Sequence, residues 1–184
     1  MTFNICVYGE LGNGKTLTMT ALGYYFYNKG YSVYSNYYTT FTKLLPMEVE
    51  DFINFFENIN ENVKNLFLID EIYVFIDSRV SASVMNRAYA SIMLQTRKKS
   101  TNIIYTAQDP YSVEKRLRII TNYYFYPKLD KEKNKIYVMI SDMSFEPIRV
   151  ITINNASKFY GMYNTKQIIK SEDLYDKVRK RRGI

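Results

Sequence analysis

Residues 9–16 read Gly-Glu-Leu-Gly-Asn-Gly-Lys-Thr, GELGNGKT. They fit the pattern GxxxxGK[ST] at every fixed position, with Gly9, Gly14, Lys15 and Thr16 in place. Each residue type has a physical reason. Glycines let successive backbone N–H groups turn inward around an anion without side-chain clash. A helix that starts directly after the loop aims its positive end at the same anion. The lysine can reach the β- and γ-phosphates of a nucleotide, and the threonine hydroxyl can sit on a magnesium ion. The flanks agree. Phe3 to Tyr8 is a short apolar run that reads as a buried strand. Lys15 to Asn28 carries Leu17, Ala21, Tyr24 and Tyr25 at helical spacing, and Lys29-Gly30 supplies a stop. The reading is a phosphate-binding loop of Gly9, Glu10, Leu11, Gly12, Asn13, Gly14, Lys15 and Thr16, with Leu17 just inside the helix.

The next decisive stretch is Leu66-Phe67-Leu68-Ile69-Asp70-Glu71. Four apolar residues suit a strand buried on both faces. Carboxylates at its end stand at the rim, where open α/β sheets bind ligands. Asp70 is placed to hold Mg2+ through its water shell, with Thr16 as the other metal ligand. Glu71 is placed to polarise the water that attacks the γ-phosphate. A further strand, Asn102 to Thr106, ends in Ala107-Gln108-Asp109-Pro110. A polar amide just past a strand, with proline closing the turn, suits Gln108 as a γ-phosphate sensor. The alternative is a turn residue bonding its own backbone.

The remaining segments fill in an α/β fold. Tyr31 to Ser35 reads as a strand, 36–46 as loop and Met47 to Asn58 as an acidic amphipathic helix. Asn65 to Ile69 is the most apolar strand, and Val84 to Lys98 reads as a helix with a basic end. Val113 to Ile120 reads as a short basic helix and Tyr123 to Tyr126 as a strand. Ile136 to Ser141 and Ile148 to Ile153 form an expected hairpin. Ser171 to Arg182 reads as a charged helix or tail. Strand–helix alternation predicts a mostly parallel sheet with helices on both faces and an antiparallel hairpin at one edge. The expected organisation is one domain over 1–184, with a nucleotide-binding core over 1–126 and an extension over 127–184.

Composition bounds the chemistry. The 184 residues contain one cysteine and no histidine, which excludes an intrachain disulfide and a Cys/His zinc site. Cys6 lies in an apolar run and reads as core. The net charge of +7 favours a polyanionic partner. No stretch approaches the ~18 apolar residues of a membrane span, and the N-terminus carries no cleavable signal pattern. The expected location is therefore a cytoplasm, the host cell's if the protein is viral. The 19 tyrosines fit either an AT-rich genome or a surface for stacking bases.

Arginines recur at Arg79, Arg87, Arg97, Arg116 and Arg118. Together with the loop, the Asp-Glu pair and Gln108, they resemble the additional-strand, catalytic-glutamate class of P-loop ATPases. Within that class the order resembles the FtsK–HerA superfamily. The segment TRKKSTNIIYTAQDPYSVEKRLR, residues 96–118, is similar to the corresponding region of viral genome-packaging ATPases and Zot-like phage morphogenesis proteins. The resemblance covers roughly 1–126. It implies a three-layer, RecA/FtsK-like P-loop fold that binds ATP with Mg2+. It makes Lys15, Glu71, Gln108 and Arg97 the catalytic set, with Gln108 as the sensor and Arg97 as an arginine acting in trans. It also implies a homo-oligomeric ring, hexamer or pentamer, that translocates double-stranded DNA. A viral capsid or portal-like partner would follow, with no membrane anchor. The basic segments Lys128 to Lys135 and Lys177 to Arg182 read as DNA-phosphate contacts or as solvated charge. Three other readings stay open: a Zot-like extrusion ATPase, an assembly factor that uses ATP as a switch, and a nucleotide kinase.

Overall fold

The computed structural model describes residues 2–74 and 84–164. The first strand, β1 (Asn4–Tyr8), runs into the phosphate loop and then helix α1 (Lys15–Tyr27). There follow β2 (Ser32–Ser35), a two-residue β3 (Lys43–Leu44), α2 (Val49–Glu57) and β4 (Asn65–Ile69). Helix α3 (Val84–Gln95) leads through a 3-10 turn, Thr96–Lys99, into β5 (Thr101–Ala107). The chain then forms α4 (Lys115–Ile120), β6 (Tyr123–Asp130), β7 (Lys135–Ser141) and β8 (Pro147–Asn154).

All eight strands join one sheet in the order β3-β2-β4-β5-β1-β6-β7-β8. From β3 to β6 the neighbours are parallel, and β7 and β8 close the far side antiparallel. The expected mostly parallel sheet with a terminal hairpin is therefore present. Strand β5 stands between β1 and β4, which fits the resemblance to the additional-strand class.

Every residue of β4 and β5 is buried, as expected of strands covered on both faces. Asn65, Thr101 and Asn102 stand at the strand starts, and Thr106 stands near the end of β5. Asn102 donates from Nδ2 to the Asn65 carbonyl at 3.0 Å and accepts at Oδ1 from the Phe3 amide at 2.8 Å. Two apolar clusters flank the sheet. One gathers Phe52, Phe56, Tyr89, Met93 and Leu117 from α2, α3 and α4 against β4 and β5. The other gathers Leu17, Met19 and Ala21 of α1 with Ile136, Val138 and Phe159. Cys6 lies fully in the first cluster, and burial pushes its thiol up to about 12. It is a core residue, as its sequence setting implied.

Several expected boundaries move. The segment 36–46 is not all loop, because β3 pairs with β2 there. Helix α3 ends at Gln95, and its basic end is the 3-10 turn. The helix expected from Val113 begins at Lys115, where Glu114 caps it by accepting from the Arg116 and Leu117 amides. β6 runs on to Asp130, so the expected core boundary at 126 falls inside a strand. Tyr25 is exposed rather than part of a buried stripe, since α1 buries the run from Leu17 to Ala21 on nearly every side. Ser171 to Arg182 lies outside the described residues. Among those described, no helix is long and apolar enough to cross a membrane.

Gly23 shows how closely α1 packs. A helix-interior glycine ordinarily costs about 1 kcal/mol relative to alanine. Here a Cβ would run into the Leu68 side chain of β4. Gly23→Ala should therefore destabilise the fold, by about 1–3 kcal/mol, in urea unfolding followed by circular dichroism. A gain in stability would show that α1 can move away from the sheet.

Candidate active site

The phosphate loop sits at the C-terminal rim of the sheet, between β1 and α1. Gly9, Gly12 and Gly14 have φ of +136°, +84° and +87°, the left-handed region that favours glycine. Side chains are also excluded by packing. A Cβ on Gly9 would stand 3.0 Å from the Tyr126 ring, and one on Gly14 would stand 3.3 Å from Leu129. Both contacts come from β6, so the strand that crosses the expected core boundary forms a wall of the loop. The basic turn after β6 consequently stands beside the phosphate loop, and there Lys133 pairs with Asp130 at 3.6 Å.

Lys15 bends back over the loop and donates from Nζ to the Gly9 and Glu10 carbonyls, at 2.9 and 3.0 Å. Burial pulls its ammonium below the usual lysine range, while Asp70 and Glu71 act in the opposite sense. Glu10 and Leu11 project outward, Leu11 at 76% exposure. Leu17 contributes no side chain to the loop, because that side chain is buried in the sheet core. Asn13 donates to the Tyr126 hydroxyl at 3.4 Å.

β4 delivers Asp70 beside Thr16, whose hydroxyl donates to the carboxylate at 3.1 Å. Two residues that sequence reasoning missed complete the setting. Thr106, near the end of β5, donates to Asp70 Oδ1 at 2.6 Å and accepts from the Glu71 amide at 2.8 Å. Asn36, just after β2, bonds both backbone groups of Asp70. It accepts from the amide at 2.7 Å and donates to the carbonyl at 2.8 Å. Burial raises the Asp70 carboxyl above its ordinary range, and the Thr106, Thr16 and Lys15 contacts pull it back only in part. Sheet register carries the missed signal. Ile69 pairs with Tyr105, so the next residues along, Asp70 and Thr106, fall side by side.

Glu71 is exposed at the strand tip with φ +49°, a left-handed conformation that is uncommon for a non-glycine residue. Gln108 is exposed at the tip of β5, and its carbonyl accepts from the Gly9 amide at 3.3 Å. The turn residue that bonds its own backbone is Asp109, which accepts from the Tyr111 amide at 2.9 Å. Gln108, Glu71, Asp70 and the loop thus share one rim.

Arg97 does not. Arg97 is exposed on the 3-10 turn before β5, at the opposite end of that strand from Gln108. At ~3.3 Å per residue, the strand separates the two by roughly 20 Å. Arg116 is tied to Glu114 at 3.1 Å, and Arg118 lies 5.9 Å from the Tyr111 ring centroid. Arg79 lies outside the described residues, and of Arg87 only the backbone is described.

A phosphate loop, an acidic strand tip and an exposed glutamine at the tip of the strand between them share this rim. The family model for the ATPase family associated with various cellular activities, AAA, matches residues 5–127. The chain belongs to the AAA family. The AAA domain is an ATPase with a P-loop fold, and solved structures agree with that fold. The N-terminal domain of zonular occludens toxin from Neisseria meningitidis superposes with a TM-score of 0.64 at 15% identity, over 89% of this chain and 100% of that one. The genome-packaging NTPase B204 of Sulfolobus turreted icosahedral virus 2, in complex with ATP-gammaS, gives 0.59 at 9% identity, over 80% and 96%. A KaiC-like protein from the hyperthermophilic archaeon Pyrococcus horikoshii gives 0.51 at 14% identity, over 82% and 89%. No curated protein matches the chain by sequence.

Proposed function

We propose that this AAA domain is a DNA-translocating motor, with viral genome packaging as its setting. The supporting observation is the shared rim. Glu71 is exposed beside a fixed Asp70, and the polar sensor comes from the strand next to the phosphate loop. That arrangement suits a water nucleophile at the γ-phosphate, which hydrolysis needs and a kinase avoids. Lys15 and the loop amides would hold the phosphates, and Glu71 would orient the water.

Magnesium fits the oxygen donors present. Thr16 and Asp70 offer two hard oxygen ligands, and phosphates would supply others. Among the described residues no cluster of three or more acidic, Cys or His residues could hold a metal without such help. Held by Thr16 and Asp70, the ion would supply positive charge that offsets the charge developing on the phosphates.

Arg97 is exposed at the far end of β5 from its own site, so its assigned role would call for a neighbouring subunit and hence a ring. Likeness to a packaging NTPase supports double-stranded DNA as the substrate, and the net charge of +7 suits it. A capsid or portal-like partner and a cytoplasmic location belong to the same reading.

The test is steady-state ATP hydrolysis with and without double-stranded DNA at two salt concentrations. Turnover should rise with DNA, and the rise should shrink as salt increases, because phosphate contacts release counterions. Turnover indifferent to DNA at both concentrations would refute the motor. One alternative has specific support. The zonular occludens toxin domain is covered in full by this chain, which favours a Zot-like extrusion or assembly ATPase. Co-sedimentation with membranes, without DNA stimulation, would select that alternative.

A further inference from the structure

We propose that Tyr73 is a positioning residue that locks the sensor turn to the acidic strand tip. The inference rests on the reading of Gln108 as the sensor. Tyr73 lies in a 3-10 turn, Ile72–Val74, directly after Glu71. Its ring is half-buried against the cluster beneath α2, α3 and α4. Its hydroxyl reaches back across to the end of β5. There it accepts from the Gln108 amide at 3.0 Å and from the Asp109 amide at 3.4 Å. It also lies 2.8 Å from Ser112 Oγ, whose own proton goes to the Asp109 carbonyl at 2.6 Å. The tyrosine proton is then shared between Ser112 Oγ and the Asp109 carbonyl, the latter at 3.4 Å.

The Gln108 backbone is consequently held from both sides. Its N–H is held by Tyr73 from the β4 side, and its carbonyl by the Gly9 amide from the phosphate loop. The left-handed Glu71 gives the chain the sharp bend that brings Tyr73 over β5. Such conformations persist only where surrounding contacts enforce them. Here the Thr106 bond to the Glu71 amide and the Tyr73 bonds to the sensor turn do so. A shift of Gln108 must therefore shift the Glu71 segment, and the reverse. Sensor and water-orienting carboxylate move as one unit.

Tyr73→Phe keeps the ring and removes only the hydroxyl. Loss of catalytic geometry without loss of binding contacts should lower kcat roughly 10- to 100-fold, with KM for ATP within about two-fold. A merely structural role would not produce that split. A second readout is a double-mutant cycle with Gln108→Ala. If Tyr73 acts through the sensor, Tyr73→Phe should cause no further loss in the Gln108→Ala background. The proposal is overturned by unchanged kcat in Tyr73→Phe, or by losses that multiply in the double variant. Failure of the underlying reading looks different, because Gln108→Ala would then itself turn over at the wild-type rate.

Discussion

Lys15→Ala should lose tight nucleotide binding altogether. The lysine is the one cation the loop places over its own carbonyls, and a phosphate oxygen is a stronger acceptor than either of them. Hydrogen bonds to charged groups contribute roughly 1.5–3 kcal/mol each. Two such bonds to phosphate oxygens correspond to a 10²- to 10⁴-fold loss of affinity, on the order of 3–6 kcal/mol. Isothermal titration with ATP and Mg2+ measures it directly. The Lys15 aliphatic stem is partly exposed, so the variant should keep its helical circular dichroism and most of its thermal stability. Wild-type affinity in a folded Lys15→Ala protein would place the phosphates somewhere other than residues 9–16.

Glu71→Gln should separate binding from turnover. The Glu71 bond to Thr106 comes from its backbone amide, which the substitution keeps, so ATP affinity should stay close to wild type. Under the proposed role of Glu71 in orienting water, its loss should lower kcat roughly 10²- to 10⁴-fold. The left-handed backbone at residue 71 is met equally by either side chain, which keeps the substitution clean. The same variant tests the ring. Glu71→Gln subunits mixed with Arg97→Ala subunits should recover part of the activity that each lacks alone, because some interfaces then pair an intact Glu71 with an intact Arg97. Mixed rings that form, verified by crosslinking, yet stay inactive would remove Arg97 from the transition state.

The sequence made the phosphate loop and the acidic strand tip readable because both pack several constrained residue types into fixed, local spacing. Gly9, Gly14, Lys15 and Thr16 need no long-range information to be recognised. Thr106, Asn36 and Tyr73 behave differently. Their partners lie 34–36 positions away in the chain, and each meets them only through sheet register. In a single sequence Thr106 is simply a β-branched residue in a strand, and Tyr73 is one of 19 tyrosines. The two-residue β3 carries too few positions for any period to show. The Tyr25 misreading has a similar origin. A helix start buried on most sides has no single apolar stripe, so spacing alone counted the exposed Tyr25 with the buried Leu17 and Ala21.

The place of β1 in the sheet has a consequence for how the chain comes to be folded. Residues 4–8 are made well before their strand partners, β5 at 101–107 and β6 from residue 123. At roughly 5–20 residues per second of synthesis, β1 waits several seconds or more for its neighbours. Pairings across such separations carry a large loop-closure cost and form slowly. The phosphate loop, strung between β1 and α1, acquires its shape only when the centre of the sheet closes. Capture of ATP should therefore await the pairing of β1 with β5 and β6.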